Sequence, residues 1–140
     1  MKKEVNVMTD FEALKEELLY HMIVDYDKEN EVITLDNGVK IAIEETEQDC
    51  CASACGGWEN IVFNSAITNV LPIETERWHD DDTYGCCATI KVLHLDQTIC
   101  EASGNADAGN GGYYYSIASF VVKYPEQEKE NIIHFVSSCD

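Results

Sequence analysis

Apolar residues fall three and four apart near the start of the chain and two apart afterwards. Phe11, Leu14, Leu18 and Met22 recur at helical spacing, which places them on one stripe of a helix. Thr9 is followed three residues later by Glu12, a capping-box pattern. Asp10 and Glu12 also suit the positive end of a helix dipole. The spacing predicts a helix over 9–24, with Glu12, Glu16 and Glu17 facing water.

From residue 31 the period becomes two. Val32-Ile33-Thr34-Leu35 and Val39-Lys40-Ile41-Ala42-Ile43 flank Asp36-Asn37-Gly38. Asn-Gly between alternating runs is the strongest short signal for a hairpin. A polar stretch, Glu44 to Asp49, then leads to a small-residue loop over 50–57. Apolar runs follow at 58–63 and 66–71, and Pro72 ends the second or sets it at a sheet edge. Residues 73–83 read as a charged connecting segment. Cys87 to Leu95 alternates, Asp96-Gln97 turns, and Thr98 to Ala102 returns. Residues 104–112 read as a glycine- and asparagine-rich loop whose glycines permit positive φ. Tyr113 to Tyr124 is aromatic and β-branched, a strand that ends at Pro125, and Ile132 to Val136 forms the last strand. The pattern predicts one α+β domain over 1–140. Its helix, 9–24, packs on a mainly antiparallel sheet of about six to eight strands within a β-rich body over 31–136.

Charge changes the picture more than length does. There are 27 Asp and Glu against 9 Lys and Arg, a formal net charge of −18, and Arg77 is the one arginine. Phosphate neutralisation supplies most non-specific nucleic-acid affinity, so direct binding to nucleic acid is not expected. An anionic membrane surface is disfavoured for the same reason. No apolar run reaches the roughly 18 residues of a membrane span, and Met1 to Val7 has no apolar region behind its two lysines. A cytoplasmic location is expected. The natural partner of such a chain is a basic protein surface, whose encounter the field accelerates. The plainer reading is solubility alone. Seven cysteines, an odd number, in a reducing compartment argue against a disulfide framework.

Several pieces lie together within residues 32–124: Leu35-Asp36-Asn37-Gly38, Asp49-Cys50-Cys51 through Gly56-Gly57-Trp58, Ala66-Ile67-Thr68-Asn69-Val70, and Gly109-Asn110-Gly111-Gly112-Tyr113-Tyr114. In combination they resemble a family of small uncharacterised proteins found mainly in bacteriophages and prophages. The resemblance implies a phage origin and carries no agreed activity. The helix at 9–24 and the Cys86-Cys87 pair look like additions to the family's pattern. Small acidic phage proteins often block host defence proteins by placing carboxylates where phosphates bind. The expectation is therefore an anti-CRISPR-like inhibitor of a host nucleic-acid-binding or defence protein, acting in the host cytoplasm. A homo-oligomer is left open.

The partner-binding residues expected on this reading are Glu74, Glu76, Trp78, Asp80, Asp81 and Asp82, with Glu44, Glu45 and Glu47. An exposed tryptophan among charges makes an interface anchor; Trp78 can equally fold onto the core. Zinc takes four Cys or His ligands in tetrahedral geometry. Cys51 and Cys55, with His79 and Cys86, are candidates for a structural zinc site, against the plainer reading that small cysteines pack inside. Two other functions stay in view. One is sequestration of a small ligand or signalling nucleotide, with backbone amides of 104–112 as anion donors. The other is a cysteine- or metal-dependent enzyme with Cys87 beside His79 or His94. No local hydrolase signature surrounds those residues, so no catalytic residue is assigned.

Overall fold

The computed structural model describes residues 9–140, and the reading of the opening Met1–Val7 lies outside it. One helix, α1 (Asp10–Leu18), precedes ten strands: β1 (Ile23–Asp27), β2 (Val32–Leu35), β3 (Lys40–Gln48), β4 (Ala54–Glu59), β5 (Asn69–Val70), β6 (Glu74–His79), β7 (Tyr84–His94), β8 (Gln97–Asp107), β9 (Ser116–Lys123) and β10 (Glu130–Ser137). They form two antiparallel five-stranded sheets. The first runs β1-β2-β3-β9-β10. The second runs β4-β8-β7, with β5 and β6 taking turns along the far side of β7. The expected single sheet is thus two facing sheets, with ten strands rather than six to eight. Strands such as β2, β7 and β8 bury alternate residues, and a sheet with one apolar face needs a second layer to cover it.

The register explains the core. Ile33, Leu35, Ile41, Ile43, Phe120, Val122, Ile133 and Phe135 of the first sheet are buried, as are Trp58, Cys86, Ala88, Ile90, Val92, Cys100, Ala102 and Ala106 of the second. Both buried phenylalanines come from the first sheet, and the second answers with Trp58 and with small residues. Phe120 stacks on Phe135 with centroids 4.5 Å apart, and on Trp58 at 5.6 Å. A Cβ on Gly104 would meet Phe135 at 2.7 Å, and one on Gly56 would meet Ile43 at 2.7 Å. Each buried aromatic contributes about 1.5–3 kcal/mol by transfer. The glycines let the rings approach.

The helix begins as its capping box predicts. The Thr9 hydroxyl accepts from the Glu12 amide at 3.1 Å, and the Glu12 carboxylate accepts from the Thr9 amide at 3.2 Å. It ends at Leu18, well before residue 24, because Tyr20 turns to φ 71 and Met22 bridges to Ala66. Leu14 and Leu18 are fully buried beneath it. The hairpin at Asp36-Asn37-Gly38 forms as expected. Asn37 Oδ1 accepts from the Val39 amide, and Gly38 takes φ +89.

Three expected loops are strands instead. Residues 54–59 form β4, 74–79 form β6, and β8 runs on through Gly104-Asn105-Ala106-Asp107. The Tyr113 strand starts later, at Ser116. Among the described residues no helix is long and apolar enough to cross a membrane.

Candidate interaction surface at one end of the sandwich

β3, β6, β8 and β10 end, and β4, β7 and β9 begin, at the same end of the molecule. Three loops gather there: 49–53, 80–83 and 108–115. Each is tied to its neighbours through the backbone. Asp49 N donates to Tyr115 O at 2.9 Å, and Tyr115 N donates to Asp49 Oδ2 at 3.2 Å. Gly111 N donates to Asp82 O at 2.7 Å, and Ala108 N to Tyr84 O at 2.9 Å. The loop 108–115 therefore bridges the other two.

Asp107 anchors this bridge. Its Oδ1 accepts from the amides of Ser53 and Gly109, at 3.1 and 3.0 Å, and its Oδ2 accepts from the Ser53 hydroxyl at 3.1 Å. Ser116 Oγ, fully buried, sits 2.8 Å from the carbonyl oxygens of both Ser53 and Asp107. Gly109 takes φ +72, and a Cβ there would lie 2.7 Å from Cys51 O. Only glycine allows the two loops to approach so closely. The amides of Gly109, Gly111 and Gly112 are all used by acceptors of the protein itself.

The end carries one sign of charge. Segments 45–54, 78–84, 107–116 and 137–140 contain Glu45, Glu47, Asp49, Asp80, Asp81, Asp82, Asp107 and Asp140, and no lysine or arginine, whereas Glu44 lies back on the outer face of the first sheet, with Lys40 and Lys123. Asp80, Asp81 and Asp82 are exposed, as are Glu44, Glu45 and Glu47. A break in register between Glu45 and Glu47 turns β3 as it reaches this end. Glu47 Oε1 accepts from the Tyr115 hydroxyl at 3.0 Å, and that bond raises the phenol's pKa. Tyr113, at the tip of the bridging loop, is 86% exposed. The nearest cation is Arg77. It donates to Asp140 O and packs over the Tyr84 ring, 5.5 Å from its centroid. Burial opposes ionisation of Asp140, but hydrogen bonds from His134 and from the Ser137 amide and hydroxyl outweigh it and hold the carboxyl below its usual range.

The expected partner-binding residues divide between this end and a neighbouring face. Glu47 of the first sheet and Asp80–Asp82 of the second reach the same end, on either side of the tyrosine loop. Glu74, Glu76 and Trp78 share the outer face of the second sheet, beside Thr89, Cys87 and Gly85. Trp78 is half-buried there. It lies flat on Gly85, where a Cβ would meet Cζ2 at 2.4 Å, and its Nε1 donates to Asn105 Oδ1 at 2.8 Å. It thus covers the outside of the sheet and not the core.

The four zinc candidates do not converge. Cys86 points inward and is fully buried, while Cys55 points outward on β4, two strands away. His79 is exposed at the end of β6, and Cys51 sits in the 49–53 loop. Among the described residues no three His, Cys, Asp or Glu side chains are placed to hold a metal ion. Cys87 Sγ lies 3.2 Å from Asn105 Oδ1, and His94 Nδ1 lies 2.8 Å from Ala66 O. His79 is next to the Tyr84 ring, at 6.5 Å between centroids.

Residues 16–121 match a family described as a domain of unknown function (DUF7448). The chain belongs to that family. The match runs from within α1 to β9, so it takes in all three gathered loops and the Cys86-Cys87 pair. No curated protein and no solved structure matches the chain. The sequence missed Asp107, Ser53 and Ser116, which hold the surface together. No strand end marked them, because 50–57 and 104–112 read as loops and Ser116 fell inside the strand expected from Tyr113.

Proposed function

We propose that this chain is a binding protein that engages a basic macromolecular surface with the end formed by loops 49–53, 80–83 and 108–115. One observation carries the reading: carboxylates of both sheets flank an exposed tyrosine there, and the three loops contain no lysine or arginine, Arg77 beside them being engaged with Asp140 and Tyr84. Uncompensated carboxylates attract a positive partner and speed encounter. A rigid aromatic supplies contact area at little entropic cost. Fixing the loops on the scaffold lowers the ordering cost of binding. The surface suits a protein groove that otherwise receives phosphates. We accordingly read the chain as a phage-type inhibitor of a host nucleic-acid-binding or defence protein. The internal use of the loop amides favours this reading over capture of a small anion.

The test is affinity capture of a basic partner from host cytosol at low and high salt, followed by titration with Asp80, Asp81 and Asp82 all changed to Asn. Three lost charges at about 1 kcal/mol each lower affinity roughly 100-fold. Capture that ignores both salt and the triple substitution sinks the proposal.

A further inference from the structure

Cys50 and Cys51 occupy the tip of a four-residue turn closed by Ala52 N donating to Asp49 O at 3.2 Å. Both are exposed, and their Sγ atoms are 3.0 Å apart. Cys51 takes φ +87, the left-handed value that this turn position ordinarily gives to glycine or asparagine. A side chain there costs on the order of 1–2 kcal/mol, so the turn tolerates strain to hold a second thiol beside the first. The remaining five cysteines are dispersed: Cys86 and Cys100 are buried, Cys55 and Cys87 lie on different strands, and Cys139 follows β10.

We propose that Cys50 and Cys51 form a chelating dithiol site for a trivalent arsenic centre bearing two exchangeable oxygen ligands. Three features select this class. Tetrahedral zinc, about 2.3 Å from each thiolate, would hold the sulfurs about 3.8 Å apart. Pyramidal arsenic binds at tighter angles and so accepts the closer pair. Zinc also needs further ligands, and among the described residues no third Cys, His, Asp or Glu joins these two, whereas a monosubstituted arsenical has places for only two sulfurs. Finally, the Cys51 thiol is pushed up, first by its hydrogen bond with Cys50, while one from Tyr114 acts the other way. Divalent metals demand thiolates. The arsenical reacts with thiols directly: two As–O bonds break, two As–S bonds form, and each cysteine proton leaves with an oxygen ligand as water. Arsenic stays trivalent throughout, so no oxidant or reductant is required.

The probe is phenylarsine oxide, titrated into the full chain after phosphine reduction and desalting, with intact-mass readout. One equivalent should stay bound in excess monothiol and be removed by excess small dithiol. Cys50→Ser and Cys51→Gly should each lower retention at least 100-fold. Cys55→Ser and Cys87→Ser should leave it unchanged. Cys51→Gly suits the positive φ, so its thermal stability should equal or exceed that of the parent chain. Retention in Cys50→Ser equal to that of the parent overturns the proposal, as does parent arsenical lost to monothiol.

Discussion

The two ends of the sandwich are both made of strand ends, yet they are held by different means. At the hairpin end the tight turn is capped from within, and its neighbours touch it by packing and through His21, which lies 2.9 Å from Asp36. Asn37 caps its own turn, Gly38 rests on Pro125, and Lys123 pairs with Glu130 at 3.4 Å. Lys40, Lys123 and Lys129 are interleaved there with carboxylates. At the opposite end the loops close on one another through Asp107 and Ser116, and no lysine or arginine belongs to them. Local closure with mixed charge makes a passive end. Closure between loops, with charge left uncompensated, makes a continuous surface. The comparison shows that net charge alone says little; where the few cations sit decides which face can recruit a partner.

The largest expected effect separates the ends by charge. Neutralising Asp80, Asp81 and Asp82 should cost roughly 100-fold in partner affinity. Neutralising Glu126, Glu128 and Glu130 to Gln, an equal change at the hairpin end, should cost less than about twofold. Equal losses in a binding titration would erase the distinction. Next is Asp107→Ala, which strands the Ser53 and Gly109 amides. A loss of about 2–3 kcal/mol is expected in denaturant unfolding. Amide exchange should quicken over 49–53 and 108–115 and stay unchanged around 36–38. Gly38→Ala, at φ +89 and with Pro125 at 3.2 Å, should cost about 1–2 kcal/mol without changing partner binding.

The smallest effect appears in alkali. Burial first, and then Glu17, push the Tyr124 phenol at the hairpin end up to about 12. Burial and Glu31 do the same to Tyr26. A raised folded pKa means the native state keeps protons that the unfolded chain releases. This stabilisation is complete below pH 10 and disappears as pH rises through 12. Tyrosinate absorbance should show two late-ionising phenols, lost in Tyr26→Phe and Tyr124→Phe. Tyr115 is more open to water and should contribute little.

The legible parts of this fold were those with a local cause. Thr9 and Glu12 fix the helix start, Asn37-Gly38 fixes a turn, and alternation over Cys87 to Leu95 marks most of β7. The helix end was hidden because Met22 continues the apolar stripe while its backbone already bridges to Ala66. β4 and the second half of β8 read as loops because their inner positions are Ala54, Gly56, Gly104 and Ala106. Their bulk comes from Phe120 and Phe135 across the core. β6 read as a connector because charged residues are tolerated on an edge strand. At the candidate surface the acidic runs were readable. That Glu47 and Asp80–Asp82 meet at one end depends on pairings between distant residues, which no local pattern reports.

Strand β4 borders the second sheet, and its unpaired side is sealed by a residue from elsewhere. Glu31 Oε1 accepts from the Trp58 amide at 2.8 Å, while Tyr26 OH is 2.8 Å from that same oxygen and 3.0 Å from Trp58 O. A border whose donor and acceptor are already engaged offers no template for another chain. Addition of a further strand is thereby blocked at Trp58. An approaching chain would have to displace both Glu31 and Tyr26 before it could pair there.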